Sequence, residues 1–206
     1  TFTDFWRYVR LNRATFVCHN LGFALLSFSS YGAAAWLPAY FIRHFGWEAS
    51  RFGMWFGAIV MVSGTLGIVA GGWLADRMKA RGHQDAAMRV GLLACLVWVP
   101  PGVAGFLLES PGWALAALAL AQFFASAPFG VAPAAIQQMS PPDLRGQASA
   151  VYLFVINLVG LGLGPTAVAL ATDYLFGDDN AVGYSLLLVT TVAHAISALL
   201  LWRGLS

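Results

Sequence analysis

The stretch GGWLADRMKARG, residues 71–82, changes character at its middle: glycine and apolar residues run to Ala75, then Asp76, Arg77, Lys79 and Arg81 follow within six positions. The whole chain of 206 residues holds only 11 Lys and Arg and 9 Asp and Glu, and 59% of it is hydrophobic. A mean hydropathy of +0.72 does not suit a surface that faces water. The sudden charge at 76–81 therefore marks an edge between an apolar phase and water.

Outward from that edge lie uncharged runs of membrane length. A hydrocarbon core about 30 Å thick takes roughly 20 apolar residues per helix. Six runs qualify, at 14–42, 52–75, 90–108, 112–139, 148–172 and 182–202, and none contains Asp, Glu, Lys or Arg. Each such charge at a helix centre would cost about 2.5 to 3.5 kcal/mol on insertion. Short polar punctuation separates the runs: Gly46 and Glu48, then Glu109 to Gly112, then 177–180. Connections this short make neighbouring spans antiparallel. The expected architecture is an all-α membrane protein, a six-transmembrane-helix bundle over 14–206 with a cytoplasmic linker segment at 1–13.

Orientation follows from the basic residues, which are retained on the cytoplasmic side during insertion. Arg7, Arg10, Arg13, Arg77, Lys79, Arg81, Arg89, Arg145 and Arg203 fall on one side, against Arg43 and Arg51 on the other. Both termini are expected in the cytoplasm of a multi-pass protein of a plasma or bacterial inner membrane. Because the first residue is Thr1 and not Met, the chain is expected to begin within a longer protein. Cys18 and Cys95 sit in or near apolar runs without metal-ligand spacing to histidine, so neither a disulfide framework nor a metal is implied.

Within the basic loop, Gly72, Asp76, Arg77 and Arg81 keep the spacing Gly-x-x-x-Asp-Arg-x-x-x-Arg. This resembles the loop motif between the second and third helices of each half in the major facilitator superfamily. Lys79 stands where the motif has glycine, and Gly82 where it has a second basic residue. GLGLGPTAVA in the fifth run resembles that family's fifth-helix motif through Gly160, Gly164 and Pro165, with Val168 and Ala169 in place of two glycines. The stretch 140–176 also resembles spinster-like members, whose relatives move lysolipids and sphingolipids. The resemblance implies the second half of a twelve-helix fold whose N-terminal six-helix half is missing from this chain. It further implies that Asp76 latches the cytoplasmic side against a helix N-terminus of that half, and that a bent fourth helix gates the cavity.

Glycines at Gly53 and Gly57, Gly67 and Gly71, and Gly160 and Gly164 carry the Gly-x-x-x-Gly spacing that lets helix backbones approach, so close-packed seams are expected at all three. Pro128 and Pro133 each remove a hydrogen bond inside the fourth run, which is expected to bend, as a fixed kink or as a hinge; Pro38 is expected to break the first. Polar residues within spans are candidates for function. Asn20, Tyr31, Gln122 and Asn157 are the candidate cavity-lining residues, with Gln122 and Asn157 equally able to bond a neighbouring helix. His19 and His194 read first as structural.

The sequence therefore points to a secondary transporter moving a small amphipathic organic molecule or lysolipid by alternating access, coupled to protons. Its partners are that substrate, the lipid bilayer and the missing half; no cofactor and no nucleic acid are implied. An organic-anion or drug transporter of the same superfamily is one alternative. An intramembrane serine protease is another, suggested by Ser63-Gly64 and His194, but Met61 stands where such enzymes need glycine.

Overall fold

The computed structural model describes residues 2–205; Thr1 and Ser206, the outer ends of the two expected segments, lie outside the described residues. Every regular element among the described residues is helical. A short helix α1 (Phe2–Leu11) precedes α2 (Arg13–Phe45). Five helices follow: α3 (Ala49–Ala80), α4 (Ala86–Leu107), α5 (Pro111–Met139), α6 (Arg145–Phe176) and α7 (Val182–Arg203).

Length and composition suit five helices, α3 to α7, to crossing a membrane. At 33 residues α2 is longer than a span requires, and its polar set of His19, Asn20, Ser27, Ser29, Ser30 and Tyr31 makes it less apolar. His19, Asn20, Ser27 and Ser29 are buried inside the protein, and Asn20 Nδ2 donates to the Phe16 carbonyl and Ser27 Oγ to the Phe23 carbonyl, one turn back. Glycines end the helices where the chain reverses. Gly46, Gly82 and Gly177 hold φ of +66°, +91° and +64°, a region that a side chain disfavours. This explains why Gly82 stands where the loop motif has a basic residue.

The helices pair in an internally repeated way. α2 packs on α6 and α7, α5 packs on α3 and α4, and α4 meets α7. Exchanging the triplet α2–α4 with α5–α7 reproduces the same set of contacts, the pattern of an inverted repeat within one bundle. Two glycine seams obey the same exchange. A Cβ on Gly67 or Gly71 of α3 would lie 2.1 Å from the Phe123 carbonyl oxygen or 2.2 Å from that of Ala127 on α5. A Cβ on Gly164 of α6 would lie 2.4 Å from the Phe28 carbonyl oxygen on α2, and one on Gly160 would lie 2.9 Å from Ser27 Cβ. Gly53 and Gly57 depart from the expected seam: nothing among the described residues comes within 4 Å of a Cβ there, because they lie on the outer side of α3, whose inner side carries the buried Phe52, and Phe56 at the hollow.

Pro38 does not act as expected. α2 continues through Pro38 to Phe45 and does not break. The carbonyl that Pro38 leaves unbonded belongs to Ala34, which borders an internal hollow, where unpaired backbone is tolerated. α5 is one continuous helix through Pro128 and Pro133. π-Helical turns lie in α3, at Val60–Gly64, and in α6, at Leu158–Leu163 and Ala171–Phe176. The first of the α6 turns runs up to Gly164-Pro165. Pro165 has no N–H to give the carbonyl four residues back, and a wider turn absorbs the mismatch.

Candidate functional site

A hollow of about 290 Å³ lies between α2, α3, α4 and α5. Aromatic and aliphatic side chains make most of its wall, including Phe56 of α3, Trp98 and Phe106 of α4, and Phe129 of α5. Polar groups enter from two helices: Ser29, Ser30 and Tyr31 from α2, Gln122 and Ser126 from α5. Gln122 Nε2 donates to Ser126 Oγ at 3.0 Å, a pair that one helical turn brings together on the same face. The π-helical turn of α3 closes over this pair, since Gly64 faces Ser126 Oγ and Gln122 Nε2, and Val60 lines the hollow. Tyr31 is 37% exposed, and its hydroxyl has no hydrogen bond among the described residues.

Trp98 is held from two sides. Its indole stacks on His194 of α7 with ring centroids 3.9 Å apart and planes 11° from parallel. A Cβ on Gly102 would meet the indole at 2.6 Å, so a glycine is needed under it. His194 Nδ1 lies 2.8 Å from the Thr190 carbonyl oxygen, which fixes the ring one turn along its own helix.

Of the four candidate cavity-lining residues, Tyr31 and Gln122 border the hollow. Asn20 is buried lower in α2, bonded to its own helix. Asn157 is exposed on α6, its Nδ2 donating to the Leu153 carbonyl at 2.8 Å. Sequence reasoning did not single out Ser126 or Trp98; the i,i+4 spacing of Gln122 and Ser126 was the available signal for the first, whereas the Trp98–His194 stack joins residues far apart in sequence.

The loop motif stands at the end of α3. Asp76 is exposed there, with no ion-pair partner among the described residues. Arg77 lies 5.4 Å from the ring centroid of Trp73 one turn earlier. Arg81 is exposed at the helix end. Gly72 has nothing within 4 Å of a Cβ, so its bare face is turned away from this bundle. Lys79 Nζ donates to Gln138 Oε1 at 2.7 Å and ties α3 to the end of α5. On α6, the Pro165 carbonyl accepts the Trp36 indole N–H at 2.9 Å beside the Gly32–Gly164 contact. Pro128, buried in α5, packs toward α6 with Tyr152 nearby.

A repeated bundle of long apolar helices around a largely apolar hollow defines an integral, multi-pass membrane protein. Residues 1–165 match the sequence profile of the Major Facilitator Superfamily, and the chain belongs to that family. An MFS-type efflux pump of Mycolicibacterium smegmatis is 30% identical over 194 residues, which cover 93% of this chain and 45% of that protein. Two crystal structures of a bacterial homologue of the human lysosomal transporter Spinster share the fold at 19% identity. In the inward-facing, occupied conformation the TM-score is 0.78, over 93% of this chain and 49% of the other. In the inward-facing, unoccupied conformation it is 0.75, over 100% and 48%. The chain thus spans about half the length of the relatives it matches.

Proposed function

We propose that this chain is the second six-helix half of a secondary transporter that moves a small amphipathic organic molecule or lysolipid by alternating access, coupled to protons. The observation that carries this reading is the make-up of the hollow. Aromatic and aliphatic walls suit an acyl chain or a flat apolar body, and the strip from Tyr31 to Gln122 and Ser126 suits one uncharged polar end. Fixed charge is absent from the hollow's lining, which favours a substrate whose apolar part lies against this half.

In this reading the nine basic side chains at one end face the cytoplasm, together with both termini, and residues 1–13 end the connection between halves. The bundle rocks as a body against its counterpart with the substrate near the midplane. Asp76, exposed and without an ion-pair partner among the described residues, is the group available to meet a helix N-terminus of the other half. The name of the M. smegmatis relative supports outward movement of an organic compound as the second reading.

The test is uptake and release of an NBD-labelled lysophosphatidylcholine by the protein in proteoliposomes, with and without a pH gradient. Flux above protein-free vesicles that the gradient accelerates is expected. Flux equal to protein-free vesicles with the lysolipid but above them with a cationic dye would replace the lysolipid reading by the efflux reading.

A further inference from the structure

A groove of about 220 Å³ lies where α3, α4 and α5 meet, apart from the central hollow. Its walls include Ala70 and Leu74 of α3, Leu93 and Val97 of α4, and Phe123 and Phe124 of α5, and every side chain that lines it is apolar. α5 turns Gln122 and Ser126 to the hollow and Phe123 and Phe124 to this groove, so the two are separate. Leu93 and Val97 are 40% and 43% exposed, and the groove opens outward between them and α3. From Val90 to Val97 the wall rises about 10 Å, most of the depth of one leaflet in a core about 30 Å thick.

The line of the groove leads to the charged edge of α3. Helical spacing carries the row of Ala70 and Leu74 on to Arg77 and Arg81. Both arginines are exposed, and neither has an ion-pair partner among the described residues. Arg77 lies 5.4 Å from the ring centroid of Trp73, an exposed indole of the kind that settles at a membrane–water interface. On α4, Arg89 stands one turn before Leu93 and pairs with Asp85 at 2.7 Å. Residues 76–89 hold four basic side chains, Arg77, Lys79, Arg81 and Arg89, against the two acids Asp76 and Asp85, so this edge is positive.

We propose that groove and edge together bind one anionic phospholipid, with an acyl chain between α3, α4 and α5 and the headgroup phosphate at Arg77 and Arg81. Arginine offers phosphate paired N–H donors, and a basic edge beside a membrane helix draws anionic lipid. A zwitterionic lipid brings the same chains and phosphate, but its headgroup cation is repelled by the same edge. The apolar groove selects for a chain, and the arginines select for net negative charge. Neither depends on what the protein transports.

The experiment uses the intact protein in phosphatidylcholine proteoliposomes with a trace of phosphatidylglycerol that carries a diazirine in one acyl chain. After irradiation, labelled peptides are quantified by mass spectrometry. Peptides with residues 70–74 and 93–97 are expected to label above the exposed face of α7 at Val192 and Ile196. Excess unlabelled phosphatidylglycerol is expected to remove that label, and added phosphatidylcholine to leave it. Equal labelling of all three segments, or equal competition by both lipids, shows ordinary bilayer lipid in the groove and overturns the proposal. Absence of label from 70–74 and 93–97 shows a groove covered by protein and overturns it as well. In Arg77→Gln/Arg81→Gln protein the preference for phosphatidylglycerol is expected to fall about fivefold for each arginine removed, and an undiminished preference overturns the role of the arginines. Ala70→Phe fills the groove and is expected to clear label from 93–97 without changing that on α7; label kept at 93–97 overturns the place of the acyl chain. Competition in the wild-type protein decides the proposal even where a variant fails to fold.

Discussion

Gly71 and Gly72 are adjacent in sequence and opposite in surroundings, so one added methyl group tests the packing of α3 directly. At Gly71 a Cβ would sit 2.2 Å from the Ala127 oxygen, 2.7 Å from its carbonyl carbon and 2.8 Å from its Cα. All three are backbone atoms, which cannot turn aside as a side chain does. Restoring ordinary contact requires α3 and α5 to part by roughly 1 Å, at an overpacking cost of about 1 to 3 kcal/mol. For a chain of this size that lowers the melting temperature by roughly 2 to 12 °C. At Gly72 nothing lies within 4 Å, and replacing a helical glycine by alanine gains up to about 1 kcal/mol. Thermal unfolding of detergent-solubilised Gly71→Ala and Gly72→Ala proteins, followed by intrinsic tryptophan fluorescence, checks both. A Gly71→Ala protein as stable as its parent would refute the seam, as would a Gly72→Ala protein equally destabilised. If Gly72→Ala keeps its stability and loses flux, its bare face is used by something outside this bundle.

Three further outcomes are expected. Asp76→Asn shifts the balance between inward and outward states, read as altered labelling of cysteines engineered on the two faces; unchanged labelling on both faces counts against the latch. Gln122→Leu removes an amide worth about 0.5 to 1.5 kcal/mol in a hydrogen bond, so the KM for a polar-headed probe rises by up to roughly tenfold with little change in melting temperature. An unchanged KM would take Gln122 out of the binding surface. Asp179→Asn costs under about 1 kcal/mol, because its pairing with Arg43 at 3.9 Å is exposed, 79% on the Asp179 side. A larger loss of stability would show that the Arg43 bond to the Asp179 carbonyl depends on that charge.

Much of the fold was legible because membranes impose simple arithmetic. The uncharged runs and the charged edge at 76–81 give the long helices, and the glycine spacing in α3 and α6 gives the seams, since only glycine permits such backbone approach. Three features were not legible. α1 forms a helix within the expected linker, with Phe5 fully buried and Tyr8 donating to the Met139 carbonyl, because a tertiary site accepts its apolar face. The same Gly-x-x-x-Gly spacing occurs at Gly53 and Gly57 without a neighbour, since spacing tells that a surface is bare but not what it faces. The π-helical turns depend on register over two turns of backbone, which no residue type announces. At the site, polarity within an apolar run picked out Tyr31 and Gln122, but also Asn20 and Asn157, whose Nδ2 groups donate to carbonyls of their own helices.

The repeat within the bundle connects these features to its working surface. α3 and α6 occupy equivalent places in the two triplets, and in each only 17% of the most apolar window is buried within the chain, against 39% to 44% in α4, α5 and α7. The same two helices hold the π-helical turns and contribute the glycines that bring them against α5 and α2. A helix fixed by glycine along one line, and bare along the rest, is fastened firmly to its own bundle while leaving a broad face for another. Its wide turns leave backbone groups that a small sliding motion can re-pair, which a regular helix does not allow. Lipid alone would not call for such irregularity at both equivalent positions. The second bundle proposed above, seated on α3 and α6, would, and the hollow bordered by the turn at Val60 lies beside that surface.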